Sequence, residues 1–518
     1  MNKNTISFKR LLGALLALCM LCMTLPAIVL AQEATADEAA DGEAATAAVT
    51  LTMLGYDGDS SGRTWENNAF FTRMAELTGV AFTFEEYTSE EDYAARIAKL
   101  SAKNQEKLPD VLFKAALSDA DQRRMAADGT LVDLKPLIAQ YAPNLAALLE
   151  ENPEWEKAIT LPDGKIVALP LFNTMERQCG VWLNESWVRA LGYTMPTDAD
   201  SLYEVLTAIK TGDPNGNGKA DEIPLNVTGV WEMRWLLGLF GINANDYNLA
   251  MQDGSVVFAP RMEGYRAFVE YLKKLYDEGL LPAGAFKDVH ALNALNDKES
   301  DTVVSGAIVT VTPYSQMDAT AALSYTVMVP ANGVWRDLLG EVWSGAFAVT
   351  AGCEDVESAL KWVDALYDEN NVLAYAGVEG VDYEVTRNGW TWILDTYRTV
   401  DTIRAESIIY TAGTIPGIMP SDFMRNVDSE LDRHVIANSD ALKQVATQPL
   451  PVRILTDEEA ARVSELQSAL GEAVDVGIAR FVTGEVPLDD ESWQAYQEQL
   501  TSLGADELTA IFTDVIAR

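Results

Sequence analysis

Apolar residues recur along this chain at two spacings, one suited to strands and one to helices. Val49–Leu54 (VTLTML) is rich in β-branched and apolar residues and predicts a strand. In Thr64–Gly79, the positions Phe70, Phe71, Met74 and Leu77 fall on one helical face, with Thr64 as N-cap and Gly79 as the stop. Val80–Tyr87 predicts a second strand, Ser89 opens a helix carrying Tyr93, Ile97 and Leu100, and Pro109–Phe113 begins a third strand. Strand, helix, strand, helix, strand in this order predicts a parallel sheet with crossover helices.

The pattern continues downstream. Leu161–Pro170 (LPDGKIVALP) predicts a hairpin turning at Asp163-Gly164, with Ile166 and Val167 on the returning strand. Helices are predicted over Ser186–Ala190 and Ser201–Lys210 and in YLKKLYDEG and ALKWVDALYDEN. Val304–Val311, Tyr325–Pro330 and Gly345–Thr350 read as strands, and past Thr456 the chain is largely helical. No repeat of solenoid or propeller length interrupts this alternation. At 518 residues the chain is long enough for two large lobes or roughly three domains.

The amino end follows neither period. Lys3, Lys9 and Arg10 precede an apolar run from Leu11 to Ala31, which closes on Val29-Leu30-Ala31. This predicts a signal peptide over residues 1–31. The run is also long enough to span a bilayer, so a retained anchor is the alternative. Leu18 and Leu21 precede Cys19 and Cys22, where lipid attachment requires a small residue, and no clear lipobox results. Residues 32–48 carry almost no large apolar side chains and are predicted to be a disordered acidic linker.

Charge narrows the possible partners. With 38 Lys and Arg against 78 Asp and Glu, the formal net charge is −40. A surface of that sign repels phosphate backbones, so nucleic-acid binding is not expected. Of the four cysteines, only Cys179 and Cys353 lie beyond the leader, and their separation leaves a disulfide and two free thiols both open.

The densest candidate chemistry is DPNGNGKADE, residues 213–222. Asp213, Asn215, Asn217, Asp221 and Glu222 supply side-chain oxygens, Lys219 a backbone carbonyl, and Gly218 the sharp turn of a calcium loop. Pro224 stands where an EF-hand places its bidentate Glu, so the loop is EF-like, closed by Asp221 and Glu222; an Asn-Gly turn without metal is the alternative. Ser60, in Gly58–Gly62, matches a nucleophile elbow, but only His290 and His434 are available as bases and the flanking elements of a hydrolase are absent. No phosphate-binding loop or dinucleotide fingerprint occurs, and no carboxylate pair stands out among so many acids.

Aromatic residues point elsewhere. The chain has 12 Trp and 18 Tyr, and several fall near predicted element ends. Trp65, Trp231, Trp235, Trp343 and Trp390, with Arg234 and Tyr314, are the candidate ligand contacts; Trp335, Trp392, Glu232 and Arg336 lie close by in sequence. Indole faces stack on pyranose rings while Arg and carboxylates bond hydroxyls, which suits a sugar. For any one Trp, core packing is the competing role.

Taken with LPDVLF, GTLVDLKPLIAQYAPNL, PDGKIVALP, the long stretch from Trp182 to Leu225 that contains the EF-like loop, AGVEGVDYE and ARFVTGEVPLDDESWQAYQEQLTSLGADE, the chain resembles the extracellular solute-binding proteins of oligosaccharide-type ABC transporters, close to the LplA-like and alginate-oligosaccharide-binding group. The resemblance implies a periplasmic-binding-protein-like type II α/β fold, two lobes joined at a hinge with an interlobe cleft. It implies residues 49–160 with 303–355 as the N-terminal lobe, and 161–302 with 356–518 as the C-terminal lobe. It further implies a structural Ca2+ on Asp213, Asn215, Asn217, Lys219, Asp221 and Glu222, an oligosaccharide ligand, ABC permease subunits as partners, a monomer, an exported location and no catalysis. A secreted carbohydrate-active enzyme or esterase, or a receptor for a non-sugar solute, is the alternative.

Overall fold

A computed structural model describes residues 49–58, 64–104, 107–175, 178–227, 229–286, 303–315, 317–338, 340–409 and 414–518. The predicted leader, the acidic linker, Ser60 and His290 lie outside these residues. The chain divides into two compact units, Met1–Met175 with Glu341–Asp428 and Glu176–Gly340 with Ser429–Arg518. In chain order the strands of the two larger sheets are β1 (Val49–Tyr56), β2 (Val80–Tyr87), β3 (Val111–Phe113), β4 (Leu169–Phe172), β5 (Gly180–Asn184), β6 (Ile223–Asn226), β7 (Ser305–Thr310), β8 (Tyr325–Val327), β9 (Val342–Val349) and β10 (Gly417–Ile418).

The first unit is built on a six-stranded sheet in the order β10-β4-β9-β3-β1-β2. β1 lies parallel to both β2 and β3, as the alternation of strands and helices predicts. Helix α1 (Ala69–Thr78) is capped by Asn68, whose side chain accepts from the Phe70 amide, and stops at left-handed Gly79. Thr64, expected as the cap, instead precedes a short 3-10 turn and makes no side-chain cap bond. Phe70, Phe71 and Met74 are buried as expected, but Leu77 is 59% exposed, because the helix turns that position past the edge of the core. Helix α2 (Glu90–Lys99) starts at Ser89 and buries Tyr93 and Ile97. Trp362 stands at the centre of the core, its ring edge-on to Phe70, Phe82 and Phe113.

β9 runs antiparallel between β3 and β4, and its register shifts between Trp343 and Phe347. Gly345 makes the bulge feasible: its φ is 80°, and a Cβ there would lie 2.2 Å from the Leu117 carbonyl. The expected hairpin at Leu161–Pro170 is a turn only. Gly164 donates to the Leu161 carbonyl, but Ile166 and Val167 are not in a strand; regular pairing begins at Leu169, with β9.

The second unit carries a four-stranded sheet in the order β8-β5-β7-β6, with β5 antiparallel to β7 and β8 and β6 parallel to β7. Helix α3 (Ala199–Gly212) packs on it so closely that a Cβ at Gly306 would sit 2.7 Å from Ile209. Its start is fixed by a reciprocal cap between Asp198 and Ser201. Helix α4 (Glu263–Asp277) and the 26-residue α5 (Asp457–Val482) bury Phe268, Leu272, Leu470 and Val474 in the same core.

These pairings divide the chain differently from the boundaries expected at 160, 302 and 355. Residues 303–340 belong to the second unit because β7 pairs with β5 and β6. Residues 161–175 and 356–428 belong to the first, where β4 pairs with β10 and Trp362 fills the core. Each strand's own periodicity is the same whichever sheet receives it, so these memberships are decided by tertiary pairing.

Candidate functional site

The loop 213–222 joins the end of α3 to β6. Asp213 turns the chain with φ 46°, and Gly216 and Gly218 follow with φ 70° and 73°. This winding aims successive amides at the acidic side chains. Asn217 N donates to Asp213 Oδ1 at 3.1 Å, Gly218 N to Asp213 Oδ2 at 3.0 Å, and Lys219 N to Asn217 Oδ1 at 2.8 Å. The amides of Asn215 and Asn217 each donate to Asp221 Oδ1 at 3.1 Å, and these bonds hold the Asp221 carboxyl below the usual carboxylate range. Glu222 Oε1 is buried without a hydrogen-bond partner, a polar atom whose desolvation is uncompensated. Among the described residues no group of three or more His, Cys, Asp or Glu is placed to hold a metal. The donors that the loop brings together are instead mixed carboxylate, amide and backbone oxygens, a set that suits a hard cation.

The aromatic candidates separate by burial. Trp65, Trp235 and Trp390 are all at most 2% exposed, so the expectation that they face a ligand is corrected: they are core residues. Trp65 lies edge-on to Phe113 and so near β1 that a Cβ at Gly55 would come 2.6 Å from its ring. Trp390 stacks on Phe423, with ring centroids 4.9 Å apart, and its indole N–H donates to the Phe423 carbonyl. Trp335, beside the candidates in sequence, is also interior and donates to the Cys179 carbonyl.

Trp235 anchors a polar knot in the second unit. The Arg336 guanidinium sits 4.7 Å above its ring, and the Trp231 ring meets it edge-on at 4.5 Å. Arg336 is paired in turn with Asp246 at 2.9 Å, which also accepts from the Trp231 indole at 3.3 Å. Arg234, with 10% of its side chain exposed, is engaged by Asp475. Arg234 and Trp235 are thus already committed to the protein interior. Trp231, Tyr314, Trp343 and Trp392 are half-buried and keep part of their rings on the surface.

The remaining chemical candidates are quiet. His434 Nε2 donates to the Tyr325 carbonyl at 2.6 Å, so that nitrogen is not offered as a base. Cys179 and Cys353 are not bridged to each other, and burial pushes the Cys353 thiol up to about 11, away from thiolate reactivity. Two residues that the sequence did not single out occupy a telling place: Asp57 directly follows β1 and Lys114 directly follows β3, and they form a buried ion pair. Lys114 ends the apolar run PDVLFK, where a lysine reads as a strand-flanking surface residue.

No family model matches the chain. It is 30% identical over 319 residues to the fructooligosaccharide ABC transporter substrate-binding protein FusA of Streptococcus pneumoniae, a match covering 57% of this chain and 56% of FusA. The chain spans about half the length of the curated relatives it matches. Among solved structures, an extracellular solute-binding protein from Bifidobacterium longum subsp. infantis matches with a TM-score of 0.74 at 22% identity, covering 90% of this chain and 98% of that one. The fold is that of the ABC-transporter solute-binding proteins. A solved S. pneumoniae FusA EF-hand mutant in complex with fructo-nystose shares this solute-binding fold, with a TM-score of 0.65, 23% identity and coverage of 90% and 99%. These relatives are named as binding proteins, and among the described residues no helix is long and apolar enough to cross a membrane.

Proposed function

We propose that this protein is an extracellular receptor that captures an oligosaccharide and passes it to the permease of an ABC importer. The observation that carries this reading is the similarity to FusA, named as a fructooligosaccharide substrate-binding protein, joined to a solute-binding fold that extends over 90% of the chain. Trp231, Tyr314 and Trp343, each half-buried, are the proposed sugar contacts. The receptor acts as a monomer and makes or breaks no bond in the sugar.

Ca2+ is proposed as a structural ion of the loop 213–222, held by Asp213, Asn215, Asn217, the Lys219 carbonyl, Asp221 and Glu222. The orphaned Glu222 Oε1 and the EF-hand named in the FusA relative support this assignment. When bound, the ion supplies charge compensation to the three carboxylates and ties the end of α3 to β6.

Titration calorimetry of the full chain against kestose, lacto-N-tetraose and an alginate trisaccharide, with chromatography of the sugar afterwards, tests the main reading. Saturable binding with the sugar recovered intact is expected. Absence of binding to all three, or conversion of the sugar, overturns it.

A further inference from the structure

The first unit's sheet has a point at which its connections diverge. From β1 the chain passes to β2 on one side, and from β2 it crosses to β3 on the other side of β1. In open α/β sheets ligands lodge outside the carboxyl ends of the strands at such a point. The carboxyl ends of β1 and β3 are where Asp57 and Lys114 stand.

Three features coincide there. Lys114 is fully buried and Asp57 nearly so, and the Lys114 ammonium donates to Asp57 Oδ1 and, at 3.4 Å, to the Ile409 carbonyl, so one side chain joins three chain segments. The backbone is strained: Lys114 and Ala116 have φ of 48° and 45°, a region that costs a residue with a Cβ on the order of 1–2 kcal/mol. The strained turn is clamped to β9 on both sides of Ala116, by Ala115 N to the Ala346 carbonyl at 2.9 Å and by Leu117 N to the Gly345 carbonyl at 3.0 Å. Ala116 itself is exposed between the clamps. Asn68 adds a further brace to the segment that includes Ile409, its amide donating to the Ile408 carbonyl at 2.8 Å.

A buried ion pair is a poor means of stabilising a fold, because the desolvation of both charges offsets their attraction. Placing one beside two strained residues serves instead to hold a surface in a fixed shape before a ligand arrives. We infer that Asp57 and Lys114 are positioning residues of the glycan site, bracing the turn 114–118 at the carboxyl edge of the sheet so that its exposed face is set to receive the sugar. The inference rests on the proposed receptor function.

The test uses the full chain carrying Asp57→Asn, Lys114→Met, or both, with affinity for kestose, lacto-N-tetraose and an alginate trisaccharide measured beside the melting temperature. Each single substitution is expected to lower the melting temperature, because it takes from a buried charge the opposite charge that compensates it. The double substitution leaves neither charge behind and is expected to melt close to the wild type, while affinity stays about tenfold or more weaker, since preorganisation is lost. Wild-type affinity in the double variant overturns the inference. So does a double variant that melts as low as the worse single one, which would make the pair a support of the fold alone. If the wild-type protein binds none of the three sugars, the receptor reading fails first and this inference falls with it.

Discussion

A tryptophan's meaning in this protein depends on what covers it. Trp231 and Trp235 are four positions apart and touch, yet one keeps part of its ring at the surface while the other is enclosed by Arg336 and its neighbour. Their spacing places them on one side of a helical segment and carries no information about which is outermost. Trp362, which drew no attention as a candidate, is the ring around which the first unit's core is arranged. Trp362→Ala is expected to destabilise the protein by about 3–5 kcal/mol, read as a shift in the urea midpoint. A smaller effect is expected at Asp355, which caps the helix Val356–Asp364 by accepting from Ser358 N at 3.0 Å and Ser358 Oγ at 2.7 Å. Those bonds hold its carboxyl below the ordinary value of 3.8. A depressed folded-state value means that the cap's contribution is present above 3.8 and is lost as pH falls through the lower folded value. Asp355→Ala should therefore cost about 1 kcal/mol at neutral pH, with the difference from wild type shrinking in acid denaturation curves taken below pH 3.8.

At the scale of elements, the strand–helix alternation of the first unit was legible because each piece is bounded by local signals. Ser89 and Gly79 act as cap and stop where the sequence places them. The failures also have local causes. Ile166 and Val167 look like a strand, but their neighbours after the Asp163-Gly164 turn find no partner strand until Leu169 meets β9. The bulge in β9 was invisible beforehand, since only the closeness of the Leu117 carbonyl makes a glycine necessary at 345. Gly345→Ala is expected to cost about 2 kcal/mol or more, from the positive φ and the displaced carbonyl, and chemical denaturation measures it. The loop 213–222 was legible as a tight polar turn because its Asn-Gly repeats favour positive φ, and its amides close onto Asp213 as such a turn requires. Chelation with EDTA is expected to lower the wild-type melting temperature, whereas Asp213→Ala should melt lower in calcium and no longer respond to EDTA. Identical melting curves for both proteins in both conditions would remove the ion from the loop.

For the molecule as a whole, the expected behaviour follows from its two cores and its charge. A glycan bound by the folded chain and not by the unfolded one, present at about a hundred times its dissociation constant, should stabilise it by about 2.7 kcal/mol, visible as a rise in melting temperature. At a net charge of −40, no retention on a DNA column is expected even at low salt, where cationic proteins bind most tightly. The division into units differs from the one expected from sequence, because residues 161–175, 303–340 and 356–428 change sides through strand pairings between segments far apart in the chain.

By itself, then, the sequence determined the α/β class, most strands and helices, the acidic charge and the tight polar turn at 213–222, all of which depend on residues close together along the chain. Only the tertiary structure decided which strands share a sheet, which tryptophans are enclosed, and that Asp57 meets Lys114. Those outcomes depend on contacts between residues that are distant in sequence, and periodicity, which records only near neighbours, holds no trace of them.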